Sequence, residues 1–378
     1  MSTIGILGGG QLARMLALAG APLGVRFLVV DNVADACAGQ VAPSITADWR
    51  DFAALEKFAG GIDVATFDFE NVPAETAQWL TEHTRVSPNP RALALAQDRL
   101  AEKSMFRELG LDTPAFATVD SVDDLQRAVR EIGFPSVLKT RRLGYDGKGQ
   151  YRLRSDNDID AAWKALGGAP SILEAWVPFE REVSVIAVRG GDGAFSTYPL
   201  VQNWHASGIL SASLAPAPDS AGLAEIATHH ARRIAEHLDY VGVFALELFV
   251  CDGKLLGNEM APRVHNSGHW TIEGATCSQF ENHVRAVLGL PLGDTSARGV
   301  SVMLNWIGKL PDAVAVLREP DAHWHDYGKS PREGRKVGHA TICAEDVEGL
   351  RSRLTRLANA IGRQQQVAPV LDALAGTR

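Results

Sequence analysis

Val243-Phe-Ala-Leu-Glu247-Leu-Phe-Val250, followed by Cys251-Asp-Gly-Lys254 and the run to Asn258-Glu259-Met260, reads as two strands joined by a tight turn, with a carboxylate on each strand. An Asp-Gly pair between apolar runs is a strong hairpin signal, because such turns need backbone conformations that glycine and aspartate tolerate. An ionised carboxylate in a strand as apolar as 243–250 is costly unless something pairs with it. A cation is the economical partner: Glu247 and Glu259 across a hairpin can hold Mg2+, which prefers oxygen ligands and shares its shell with phosphates. A buried ion pair with an arginine such as Arg263 is the alternative.

Directly after the hairpin comes Ala261-Pro-Arg263-Val-His265-Asn266-Ser267-Gly268-His269, a run dense in donors. It suits an anionic, hydroxyl-rich ligand or else a solvated loop. His265 and His269 lack a third zinc ligand at a recognisable spacing. Upstream, predicted strands Phe134–Lys139 and Gly149–Leu153 flank Gly144-Tyr145-Asp146-Gly147-Lys148-Gly149-Gln150. Three glycines around Lys148, with Lys139 ending the preceding strand, suit a loop that closes over a triphosphate. A Walker A loop is excluded, because the motif is absent and the segment leads into a strand instead of a helix. Further strands over Ile172–Ala175, Glu182–Val188 and Ala194–Val201, without helices between them, predict a largely antiparallel α+β unit. Leu93–Leu109 and Leu223–Leu238 read as helices, as do residues within 118–132 after the Ser121 cap and Ser278–Leu288.

The first ninety residues differ. Ile4–Leu7, a helical Gln11–Ala19, Phe27–Val30 and Val64–Phe69 give a βαβ opening, hence a parallel sheet. Its glycine turn, Gly5 to Gly10, with Asp31 ending the next strand, allows either a dinucleotide site or a plain βα turn. Asp68-Phe-Glu70-Asn71 ends a strand where open α/β sheets gather ligands, so Glu70 is a substrate-binding candidate. Pro88 and Pro90 mark a first boundary, and Gly289-Leu-Pro-Leu-Gly293 a second. The expected units are therefore 1–90, 91–293 and a small C-terminal unit, 294–378. The last contains Lys329-Ser-Pro-Arg332-Glu-Gly-Arg335-Lys336, a phosphate-binding turn or a solvated one.

Composition narrows the function. Of 378 residues, 37 are Lys or Arg and 45 are Asp or Glu, a net charge of −8, so no overall positive field draws the chain to nucleic acid. Apolar runs such as Val25–Val30 are too short to cross a membrane, and MSTIGILGGG lacks a basic signal-peptide start, so a cytoplasmic location is expected. Cys37, Cys251, Cys277 and Cys343 form no Cys-x-x-Cys pair and are expected to be buried thiols.

Taken in order, five segments resemble a known family: Gly8-Gly-Gly-Gln-Leu-Ala-Arg-Met15, Thr66-Phe-Asp-Phe-Glu-Asn-Val-Pro73, Gly144–Gln150, Asn258–Thr271 and Gly334-Arg-Lys-Val-Gly-His339. With Gln97-Asp-Arg99-Leu-Ala-Glu-Lys103, Lys139 and Glu174 to Glu182, they look like the ATP-grasp carboxylate-amine ligases. Over nearly the whole length the chain is similar to the N5-carboxyaminoimidazole ribonucleotide synthetase family of purine biosynthesis.

The resemblance implies an ATP-grasp architecture: an N-terminal parallel α/β domain, a two-lobed central α+β domain and a small C-terminal domain. It implies a homodimer, and conversion of bicarbonate and ATP to carboxyphosphate, which then carboxylates the amine of 5-aminoimidazole ribonucleotide. ATP would meet Arg99, Lys139, Gly144, Tyr145, Asp146, Gly147, Lys148, Gly149, Gln150, Glu174, Ala175, Trp176, Val177, Glu182, His205, Asn258 and Glu259. Glu247 and Glu259 would hold Mg2+, while Tyr145, Asp146, Lys148 and Arg263 would serve the carboxyphosphate chemistry. Gln11, Leu12, Glu70, His265, Asn266, Ser267, Lys329, Arg335 and Lys336 would bind the ribonucleotide. Asp68 stands where the family usually has Glu, Leu143 where it has Gly, and Ser330 and Glu333 where it has a proline-rich turn; no charged group of the chemistry is lost. The competing readings are a formate-using glycinamide ribonucleotide transformylase, a nicotinamide oxidoreductase built on the opening glycines, and a nucleotide-sensing module without catalysis.

Overall fold

The computed structural model describes residues 2–144 and 148–376. Helices between successive strands, Gln11–Gly20, Phe52–Gly60 and Ala74–Leu80, make the first sheet parallel. Its order is Ser44–Thr46, Arg26–Asp31, Thr3–Leu7, Val64–Phe67, Arg85–Val86. Leu12, Met15 and Leu16 of the first helix share a core with Phe280, Val284 and Val287 of the helix Gln279–Leu288, so this unit is docked on the rest. Each such side chain contributes about 1.5–3 kcal/mol on burial. Polar anchors fix the docking: Arg85 Nη2 donates to the Val287 carbonyl at 2.6 Å, and Thr66 Oγ1 lies 2.7 Å from His283 Nε2. Because His283 Nδ1 accepts the Val243 N–H at 3.1 Å, its Nε2 carries the proton and donates to Thr66.

The second sheet is antiparallel, in the order Phe116–Val119, Ser171–Ala175, Ser136–Thr140, Gln150–Leu153. The helix Val122–Ile132 covers it through Leu125 and Val129, and Ser121 Oγ caps that helix on Asp124 N–H at 3.1 Å. The third sheet carries the hairpin at one edge: Lys254–Ala261, Gly242–Cys251, Arg181–Arg189, Val201–Ala206, Ile209–Ala215, Val300–Ile307, Lys336–Ala344, Ala322–Asp326, with Phe195–Thr197 also on Arg181–Arg189. The antiparallel middle region expected from unbroken strands is present. The C-terminal segment adds strands to this same sheet, Ala212 opposite Leu304, and roofs them with Val347–Ile361 and Gln364–Ala375.

Several local expectations change. The single helix over Leu93–Leu109 is two, Pro90–Ala96 and Arg99–Glu108. Asp98 breaks it, because its carboxylate takes the Leu100 N–H at 3.0 Å and caps the second helix. The strand Ile209–Ala215 and the helix Gln364–Ala375 were not expected, the first because Ser-Ala-Ser has little strand propensity, the second because Pro369 interrupts its pattern. All four cysteines are free, but only Cys37 and Cys277 are buried; Cys251 and Cys343 are partly exposed. Among the described residues no helix is long and apolar enough to cross a membrane.

Candidate active site

The three sheets meet around one cleft of about 1380 Å³. Glu247 and Glu259 are register partners on the hairpin, and a β-bulge follows: Leu248 stands opposite Gly257, leaving Asn258 as the extra residue. Asn258 and Glu259, adjacent in sequence, both line the cleft. His265 Nε2 stands 3.0 Å from Glu247 Oε1, and Arg99 Nη1 donates to Glu259 Oε2 at 2.8 Å. Burial opposes ionisation of Glu247, but His265, His205 and Lys336 outweigh it and hold the carboxyl below its usual range. Arg263, the alternative partner for Glu247, donates instead to Glu70. Among the described residues no three His, Cys, Asp or Glu side chains converge as a metal cage. Two cleft-facing carboxylates nevertheless suit Mg2+, which takes its remaining ligands from phosphates and water.

One end of the cleft has the features of a nucleotide site. Lys139 Nζ donates to Glu174 Oε2 at 3.0 Å, and Lys103 Nζ lies 3.5 Å from the same oxygen. Burial raises the Glu174 carboxyl, yet the two lysines prevail and bring it down to about 2. Its other oxygen, Oε1, is buried with no hydrogen-bond partner, an acceptor left over for a donor from a ligand. Ala175, Trp176, Val177 and Phe179 continue this wall; the Arg152 guanidinium sits 3.8 Å above the Trp176 ring, and Phe179 stacks on Phe249 with centroids 4.8 Å apart. A flat apolar slot of this kind suits a base. Glu182 Oε2 and His205 Nδ1 are 2.5 Å apart, and although burial lowers the His205 pKa, Glu182 raises it more. Gly144, Lys148 and Gln150 line the cleft, whereas Gly149 is packed on Thr140, whose Oγ1 would stand 2.6 Å from a Cβ there. Tyr145, Asp146 and Gly147 lie outside the described residues.

The opposite end gathers the substrate candidates from all three units. Gln11, Leu12, Glu70, Arg263, His265, Asn266, Lys329, Arg335 and Lys336 line it. Lys329 Nζ donates to Gln11, linking residues 318 positions apart. Gln97 Nε2 donates to the Glu70 and Val72 carbonyls, both at 2.7 Å, which fixes the loop that presents Glu70. Asn266 and Asn305 exchange amide hydrogen bonds of 3.1 and 2.7 Å. Ser267 alone of this set is fully buried behind the wall; its Oγ is 2.9 Å from His265 Nδ1, so it orients the imidazole that meets Glu247.

The opening glycine turn is occupied by the chain itself. Asp31 accepts the Gly9 N–H at 2.5 Å, and Asp68 accepts those of Gly10 and Ala13. The Gly9, Gly10 and Ala13 N–H groups, which a pyrophosphate would call on, are thus taken by side chains, which counts against the dinucleotide alternative.

Family models match along the chain: a ribonucleotide synthetase preATP-grasp domain over residues 1–97, an ATP-grasp domain over 104–280 and a phosphoribosylaminoimidazole carboxylase C-terminal domain over 301–353. The chain is 52 % identical to the N5-carboxyaminoimidazole ribonucleotide synthase of Pseudomonas aeruginosa, over 94 % of this chain and 98 % of that one. The chain belongs to the N5-carboxyaminoimidazole ribonucleotide synthetase family. It is thereby an ATP-grasp ligase. The crystal structure of the family member from Thermus thermophilus superposes with a TM-score of 0.91 at 52 % identity, covering 95 % of this chain and 98 % of that one. The Aspergillus clavatus synthase in complex with ADP and 5-aminoimidazole ribonucleotide superposes with a TM-score of 0.89 at 30 % identity, over 96 % and 99 %.

Within this N5-carboxyaminoimidazole ribonucleotide synthetase fold, several residues in the cleft or behind it escaped the sequence reading. Asp68 lines the cleft beside Gly10, and Glu102 faces it from the helix Arg99–Glu108. Asp98 holds Arg141 Nη2 at 2.8 Å as well as capping that helix. The available signal was the charged run Asp98-Arg-Leu-Ala-Glu-Lys103, whose last two residues fall where an amphipathic helix buries its face.

Proposed function

We propose that the protein carboxylates 5-aminoimidazole ribonucleotide with bicarbonate at the expense of ATP. A bicarbonate oxygen attacks the γ-phosphorus, ADP leaves and carboxyphosphate forms. The exocyclic amine then attacks the carboxyl carbon, and the C–O bond to phosphate breaks to give N5-carboxyaminoimidazole ribonucleotide and inorganic phosphate. The observation that carries this reading is the joining of two anion-binding ends by one cleft: Lys139 and Lys148 at the nucleotide end, Lys329, Arg335 and Lys336 at the other, with Arg263 in its wall as well.

Glu247 and Glu259 are the residues that would hold Mg2+, which when bound offsets phosphate charge. Lys139, Lys148 and Arg99 then bind the nucleotide phosphates, and Gly144, Gly147, Gly149 and Gln150 belong to the same ATP-binding set. Trp176 and Val177 wall the base, Glu174 and Glu182 meet ribose or base, and Ala175, His205 and Asn258 are further nucleotide contacts. Arg263, Tyr145, Asp146 and Lys148 serve the acyl phosphate, where fixed cations stabilise developing charge best when water is excluded. Glu70, His265, Asn266, Gln11 and Leu12 position the ribonucleotide, and Lys329, Arg335 and Lys336 take its phosphate. Ser267 acts through His265. Cytoplasmic location and homodimer assembly complete the proposal, and the latter is read by sedimentation of the purified chain.

The test is coupled product formation. ADP and phosphate are expected in equal amounts only when bicarbonate and 5-aminoimidazole ribonucleotide are both supplied. Turnover with formate and glycinamide ribonucleotide in their place would assign the chain to the transformylase reaction. ATP binding without turnover under either set would make it a sensing module.

A further inference from the structure

The helix Arg99–Glu108 carries two adjacent ionisable residues, Glu102 and Lys103, only 1 % and 0 % exposed, and burial pushes the Glu102 carboxyl up to about 8. Polar groups this deep persist only when hydrogen-bonded. Their partners lie on one short stretch of the strand Lys254–Ala261. Lys103 Nζ donates to the Asn258 carbonyl at 3.0 Å and the Gly257 carbonyl at 3.4 Å, and Glu102 Oε1 accepts the Met260 N–H at 2.7 Å. These contacts bracket Glu259. Gly257 permits the approach, because a Cβ there would stand 2.9 Å from side-chain carbons of both Phe106 and Leu111.

A regular strand turns successive side chains to opposite faces, so Asn258 and Glu259 could not both line the cleft. The bulge breaks that alternation, but an extra residue also disrupts the ladder and leaves backbone groups to be satisfied elsewhere. Lys103 satisfies the carbonyl of that extra residue, and Glu102 the N–H just beyond Glu259.

We infer that Glu102 and Lys103 are a positioning pair that holds the bulge at Asn258, so that Asn258 and Glu259 face the nucleotide together. The inference rests on the reading of Glu247 and Glu259 as the Mg2+ carboxylates. Without the clamp the strand relaxes toward regular pairing, which turns a side chain to the other face for each residue of slip. The signature is a weakened response to Mg2+ more than weakened nucleotide binding. Glu102 bonds to the strand itself, whereas Lys103 also meets Glu174, so Glu102→Ala isolates the effect.

ADP binding is measured calorimetrically with Mg2+ and with EDTA, beside the Mg2+ concentration for half-maximal activation. In Glu102→Ala and Lys103→Met, the Mg2+-dependent gain in ADP affinity should fall about tenfold or more, as for other losses of support behind a metal ligand, and half-activation should shift by a similar factor. Glu102→Gln and Lys103→Arg should restore most of both, and the Mg2+-free ADP affinity of Glu102→Ala should fall less than its affinity with Mg2+ does. A folded Glu102→Ala with the full wild-type Mg2+ gain, or a Glu102→Gln as impaired as Glu102→Ala, overturns the inference. Should Glu102→Ala not fold, Gly257→Ala, which pushes the helix off the strand, decides in the same way: a lost gain supports the clamp and an intact gain overturns it. Wild-type ADP binding that ignores Mg2+ would instead overturn the metal reading itself, and the clamp with it.

Discussion

Glu247 and Glu259 face each other across the hairpin, yet each is held from a different direction, Glu247 by His265 at 3.0 Å and Glu259 by Arg99 at 2.8 Å. Against the effect of burial, His265 holds the Glu247 carboxyl below its usual range, and both carboxylates line the cleft where the proposed cation would meet the phosphates. Glu259→Gln keeps the shape and removes the charge, and should lower kcat/KM for ATP by ~10²–10³, the range for losing one charged stabilising group. Steady-state kinetics at saturating Mg2+ checks this; normal turnover would remove Glu259 from the metal site.

Lys329 reaches the cleft from the C-terminal unit and donates to Gln11 of the first helix. Lys329→Met should raise KM for the ribonucleotide about 10–100-fold, as expected for a lost charge-assisted phosphate contact, and leave KM for ATP nearly unchanged. Equal increases in both constants would place Lys329 elsewhere in the reaction.

Gly9 and Gly10 have their N–H groups filled by Asp31 and Asp68. NADH should therefore show no change in fluorescence on titration with the protein, while ADP binds. Saturable NADH binding in the absence of ADP affinity would restore the oxidoreductase reading.

Burial pushes the Asp68 carboxyl up from 3.8 to about 6, despite Arg263, Lys329 and two backbone donors. Between these values the folded protein binds more protons than the unfolded chain, so stability falls as pH rises. The Asp68 contribution is fully present below about 3.8, declines through the window and is at its lowest above about 6, a span of roughly 3 kcal/mol. Asp68→Asn removes this dependence. Its stability relative to wild type, from urea unfolding, should rise between about pH 4 and pH 6; a pH-independent difference would show that Asp68 ionises normally.

The parallel opening, the antiparallel middle region and the hairpin were legible because each is a local pattern: apolar runs, an Asp-Gly turn, a Ser121 cap. Site residues were legible where charge stood against its surroundings, as Glu247 does in its apolar strand. What escaped depends on contacts between distant segments. The carboxylates that fill the glycine turn, Asp31 and Asp68, lie 22 and 58 residues from the N–H groups they take. The Asn258 bulge is invisible to a period-two reading, and its support arrives from a helix 155 residues earlier. Arg263 shows the same limit: charge alone made it the alternative partner for Glu247, but the fold brings it to Glu70, 193 residues away.

The most direct measurement follows an oxygen atom. With 18O-labelled bicarbonate, ATP and 5-aminoimidazole ribonucleotide, attack of bicarbonate on the γ-phosphorus leaves the bridging oxygen on phosphate when the amine displaces it. Mass spectrometry should find one 18O in each phosphate released, with the carboxylated ribonucleotide formed in equal amount. Unlabelled phosphate, or phosphate release that continues unchanged when the ribonucleotide is omitted, would contradict carboxyl transfer through carboxyphosphate.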